Sequence, residues 1–236
     1  MSMMAHAQTI SVLHAEPSAR AMFIRRTYAH LAAAIAALVV IEYVLLQSPL
    51  SEAFLNLLRG SRYGWLGILG AFMLCGWLAR GLAANVASVP LQYLGLSLYV
   101  VAWAVMFVPI LHLAINYSSP NVLPMAAILT GVMFAGLTAI VFTTRKDFSF
   151  LGSALMIGGF VALGVIVCSV IFGFNTGLLF SGFMVVLASG AILYDTSRIM
   201  HHYSTEQHVA ASLELFASVA LLFWYILRIV MSLSRR

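Results

Sequence analysis

Residues 151–172 read LGSALMIGGFVALGVIVCSVIF, an unbroken run with no charge and no alternation of apolar with polar positions. At 1.5 Å per residue such a run covers about 33 Å as a helix, enough to cross a hydrocarbon core of about 30 Å. A barrel strand would instead alternate lipid-facing and lumen-facing residues over about ten positions. This stretch is apolar on every side, so it predicts a membrane-spanning helix. Similar windows fall at 27–46, 64–82, 91–115, 122–144, 177–199 and 209–233. The fold class expected is all-α, a bundle of seven transmembrane helices, because helices satisfy every backbone N–H and C=O within one segment.

Composition agrees. Of 236 residues, 63% are hydrophobic and 8% are charged, against about 25% charged in a soluble domain, and the mean hydropathy is +1.03. The punctuation between windows is short and turn-like: Ser48-Pro49, Ser88-Val89-Pro90, Ser118-Ser119-Pro120-Asn121, Arg145-Lys146-Asp147, Gly173-Phe174-Asn175 and the segment 201–208. None of these loops has room for a soluble domain. The chain therefore divides into a polar N-terminal tail, 1–26, expected to be cytoplasmic, and a seven-helix domain, 27–236. The first window lacks a small-residue cleavage site and reads as a retained span.

The basic residues report topology. All twelve Lys and Arg lie near window ends rather than in one stripe, which argues against nucleic acid as a partner despite a pI near 9.5. With the N-terminus cytoplasmic, Arg20, Arg25, Arg26, Arg80, Arg145, Lys146 and Arg198 lie inside, and Arg59, Arg62, Arg235 and Arg236 outside, with Arg228 snorkelling outward. An N-in, C-out protein is expected. Cys75 and Cys168 sit in apolar windows without metal or redox spacing. The pairs Gly60 and Gly64, Gly67 and Gly70, and Gly158 and Gly159 read as helix-packing positions.

Charges inside a span cost about 2.5–3.5 kcal/mol each on insertion scales, so each needs a partner, a wet cavity or a function. Asp195 lies six residues before His201, roughly 9 Å below the boundary. Glu214, on the helix returning from the same loop, reaches a similar depth. Two facing carboxylates there would form a proton-sensitive cation site that titrates as a unit. Arg80, at the end of the second window, has a matching depth, and an Arg80–Asp195 bridge would hold a closed state. The plainer alternatives are a local pair between Asp195 and Arg198 at i and i+3, and a Glu214 that points at headgroups. Glu42, near the outer end of the first window, is a candidate cavity-lining residue or a partner for Arg59 or Arg62. His201, His202 and His208 read as solvated loop histidines rather than a metal site. GxSxG, Walker A, HExxH and dinucleotide motifs are all missing, so a non-enzymatic role is expected.

Residues 143–152, TTRKDFSFLG, and 189–199, SGAILYDTSRI, together resemble the bacterial YccA-like branch of the BAX inhibitor family, the transmembrane BAX inhibitor motif proteins. The likeness extends from about Arg26 onward in span count, loop length and order. It implies a seven-helix bundle whose last helix is surrounded by the others. Some members of the family are pH-sensitive calcium leak channels, with an aspartate dyad on the last two helices and an arginine latch on the second. Asp195 matches the first aspartate, and Arg80 the latch position approximately. Ser218 stands where the second aspartate would be, so the dyad is broken. Ser218 is typical of the YccA-like branch, which is associated with an FtsH-type membrane protease as substrate and modulator. Glu214, four residues earlier on the same face, is a candidate replacement carboxylate.

The resemblance makes a protease-associated protein of the bacterial inner membrane the first expectation, with the polar tail as a flexible handle for the protease. A proton-gated calcium or cation leak is the second. A proton-coupled transporter would need a broken helix or an inverted repeat, which the sequence does not show. No cofactor is expected beyond calcium or protons as a permeant or regulatory ion.

Overall fold

The computed structural model describes residues 12–60 and 63–234, which form eight helices: α1 (Pro17–Gln47), α2 (Pro49–Gly60), α3 (Gly64–Ala83), α4 (Val89–Tyr117), α5 (Val122–Thr144), α6 (Leu151–Phe172), α7 (Gly177–His201) and α8 (His208–Ser234). All except α2 are long and apolar enough to cross a membrane. They correspond to the seven windows.

α8 lies at the centre, packed against α7, α5, α1, α4 and α3. Its buried residues, among them Val209, Leu213, Leu222, Tyr225 and Ile226, occur all round the helix. α6 is the opposite case, with Ala162 as its one buried residue and α7 as its main neighbour. Both helices are apolar all round because one faces protein and the other faces lipid.

Two differences from the sequence reading concern where helices begin. α1 begins at Pro17, so residues 17–26, read as part of a polar tail, continue the first span as helix. The cause is burial: Phe23 is in the core, Arg20 Nη2 donates to the Met200 carbonyl at 3.4 Å, and the buried Val12 donates its N–H to the Tyr203 carbonyl at 2.9 Å. From Val12 onward the tail is seated on the α7–α8 loop. Its residues 1–11 lie outside the described residues, as do Arg62, Arg235 and Arg236. The second difference is α2, twelve residues long and therefore about 18 Å, too short to span. It starts at Pro49, where Ser48 leaves α1 in an extended conformation, and lies against α1, α3 and α4.

Most of the glycines expected to bring helices together do not do so. Gly60, Gly67, Gly70 and Gly159 face open space, whereas Gly158 packs under the Leu187 side chain as anticipated. The closest backbone approach is at Gly95 on α4, where an added Cβ would lie 2.5 Å from the Ala79 carbonyl oxygen and 2.7 Å from the Ala83 nitrogen of α3. Backbone cannot rotate away from such a contact, so a methyl group there must push α3 off α4. Gly95→Ala is expected to destabilise the protein by about 1–3 kcal/mol, as overpacking does, read as a lower thermal midpoint in detergent. A midpoint equal to that of the wild type would contradict this packing.

Candidate functional site

The site is built where α3, α7 and α8 meet, near the end of the bundle that carries the α7–α8 loop. α7 presents Asp195, only 8% exposed, and Ser218 of α8 donates its hydroxyl to the Asp195 carboxylate at 2.5 Å. One turn earlier on α8, Glu214 accepts from Arg80 Nε through both oxygens, at 2.9 and 3.0 Å. Arg80 Nη2 also donates to the Tyr99 hydroxyl of α4 at 3.1 Å.

The structure therefore joins all four residues singled out at this end, in a different pairing. Arg80 bridges to Glu214 rather than to Asp195, and the two carboxylates are separated by a helical turn and served by different donors. Nor does Arg198 pair with Asp195. Its guanidinium lies over the rings of Tyr194 and Tyr203, at 5.5 and 5.0 Å from their centroids. Glu214 bonds protein rather than headgroups.

Tyr99 is the member that the sequence did not reveal. It is a buried aromatic among many, stacked near Phe72 and packed edge-on against Trp103 and Phe216. That packing leaves its hydroxyl as a fixed partner for Arg80. A tyrosine on an apolar helix face carries no signal that distinguishes such a role from core filling.

A second cluster joins the two stretches that carried the family resemblance. Asp147 accepts from the Ser149 N–H at 2.9 Å and from the Ser197 hydroxyl at 3.2 Å, and bonds His202 Nε2 at 3.0 Å, while the Phe148 N–H donates to Ser197 at 2.8 Å. These bonds tie the α5–α6 loop to the end of α7. The Ser149 N–H, with help from the other donors, holds the Asp147 carboxyl down at about 2. The loop is further shaped by Arg145, whose left-handed backbone (φ 52°) ends α5, and by Gly152, which lets the Tyr194 ring pass close to α6.

Glu42 stands apart. It is 6% exposed, and neither carboxyl oxygen has a hydrogen-bond partner among the described residues. Of its two suggested partners, Arg62 and the side chain of Arg59 both lie outside what the structure describes. Among the described residues no group of three His, Cys, Asp or Glu side chains is placed to hold a metal ion. His202 bonds Asp147, and His208 stacks edge-on against His30 at 5.0 Å.

Seven apolar spans, one of them a central helix that carries its own paired carboxylate, define a multi-pass membrane protein. The chain matches the family described as Bax1-I, inhibitor of apoptosis-promoting Bax1, over residues 20–235, and it belongs to that family. Among its relatives, the modulator of FtsH protease YccA of Escherichia coli is 35% identical over 128 residues, 54% of this chain and 58% of that protein. An uncharacterized protein of Pseudomonas aeruginosa is 36% identical over 123 residues, 51% of this chain and 55% of the relative. Bax inhibitor 1 of Schizosaccharomyces pombe is 29% identical over 228 residues, 94% of this chain and 80% of the relative. The chain thus spans little more than half the length of the two bacterial relatives.

Proposed function

We propose that this protein modulates an FtsH-type membrane protease from within the bacterial inner membrane, with its N-terminus in the cytoplasm. The observation that carries the reading is the Ser218–Asp195 hydrogen bond. It leaves one carboxylate, capped by a neutral donor, where the channel-like members of the family are expected to hold two. A cation gains less from one capped carboxylate than from a dyad. The similarity to the E. coli FtsH modulator supports the same reading.

The N-terminal segment then regulates how the protease reaches its partner. Val12 is held on Tyr203 and Phe23 in the core, and releasing Val12 would present this segment to be gripped. Val12→Asp is therefore expected to shorten the half-life of the protein several-fold in cells that carry the protease, and to leave it unchanged where the protease gene is deleted. Equal half-lives in the two strains, together with no co-purification of the protease, would overturn the proposal.

One observation favours a second reading, a proton-gated cation leak. The Glu214 carboxylate of α8 holds Arg80 of α3, and removing that charge would free α3 to move. In proteoliposomes, Glu214→Gln should then admit calcium faster than the wild type. Flux that is indifferent to this substitution would remove the leak.

A further inference from the structure

A second feature occupies the opposite half of the bundle. Between α3 and α4 on one side and α6 and α7 on the other lies a crevice of about 880 Å³, with α8 as its floor. The volume is at the upper end of the roughly 300–1,000 Å³ that hold a small ligand. Phe72 and Trp103 line one wall, Phe160 and Leu163 the other, and Leu221 and Trp224 the floor.

The crevice opens sideways. Phe160 at its edge is 68% exposed, and α3 and α6 barely touch. Its lining along α6 runs from Leu155 to Val170, roughly 22 Å at 1.5 Å per residue. One leaflet is about 15 Å deep, half of a 30 Å core, so the crevice is long enough to take an acyl chain through a whole leaflet.

Its polarity is one-sided. Ser169, Thr176, Tyr225 and Arg228 gather at the end farther from Asp195, and the remainder is apolar apart from indole N–H groups. Arg228 Nη2 donates to the Thr176 hydroxyl at 3.0 Å, and its guanidinium lies over the Tyr225 ring. All seven Asp and Glu residues of the chain are described, and none of them pairs with Arg228. A planar cation with unused donors at the head of an apolar shaft is complementary to a phosphate that carries an acyl chain.

We infer that the crevice between α3 and α6 is a binding site for one phospholipid, its phosphate on Arg228 and an acyl chain lying along α6 over Trp224. The occupant comes from the leaflet opposite the one that meets the α7–α8 loop. Phosphatidylglycerol, whose headgroup adds no cation to compete with Arg228, binds better than phosphatidylethanolamine.

The test is native mass spectrometry of the full-length protein in mild detergent, titrated with each of these two lipids. The wild type should take up one phosphatidylglycerol. Arg228→Gln should weaken that uptake by roughly tenfold, the loss of about one charge-assisted hydrogen bond, and Arg228→Lys should retain most of it, which separates charge from misfolding. Gly159→Leu fills the shaft where Gly159 faces open space, and should reduce uptake of both lipids. Uptake unchanged in Arg228→Gln and Gly159→Leu would overturn the site. So would a loss confined to Arg228→Gln, which would mean adsorption of a headgroup or free phosphate at the surface. A photoreactive side chain at position 159 that labels polypeptide instead of lipid in native membranes would likewise overturn it.

Discussion

A carboxylate on the central helix of an apolar bundle has to be answered by a donor from a neighbouring helix, and the arrangement around α8 follows from that. Glu214 draws Arg80 from α3, and Ser218 draws Asp195 from α7. The helices satisfy their own backbones, so apolar packing alone would let them rotate and slide at little cost. The two polar contacts, one turn apart on α8, fix both its rotation and its depth. Gly95 serves the same end, since its missing side chain lets α3 come close enough to α4 for Arg80 to reach Glu214 and Tyr99 together.

The polar contacts divide the protein into two unlike halves. At one end, Asp147, Ser197 and His202 bind the α5–α6 loop to α7, Tyr203 holds the N-terminal segment, and the Arg80–Glu214 and Asp195–Ser218 pairs lie just beneath. This end is densely bonded and contains most of the titratable groups. At the other, α6 leans mainly on α7 and leaves the crevice that ends at Arg228. α3, α4, α7 and α8 contribute residues to both halves.

The sequence disclosed the spans because twenty successive apolar residues, repeated seven times in a chain this poor in charge, have no stable place in water. It disclosed depth as well: counting residues from the α7–α8 loop placed Asp195, Glu214 and Arg80 at one level. It did not disclose rotation. Residues at one depth can pair in several ways, and only side-chain direction showed that Arg80 takes Glu214 while Ser218 takes Asp195. α2 was missed because Ser48-Pro49 reads equally as a turn or as a helix start, and twelve residues are too few for a membrane signal. Residues 17–26 looked like a tail because Arg20, Arg25 and Arg26 outweigh Phe23 in any average, although Phe23 is the residue that goes inside. Tyr99 had no signal at all.

The central claim is that Glu214 on α8 holds α3 through Arg80, and a double-mutant cycle tests it most directly. Arg80→Gln, Glu214→Gln and the double variant would be compared with the wild type by unfolding in one detergent. The account predicts that each single change destabilises and that the second adds little to the first, a coupling of about 1 kcal/mol or more. Strictly additive losses would contradict it, because the two side chains would then be acting independently.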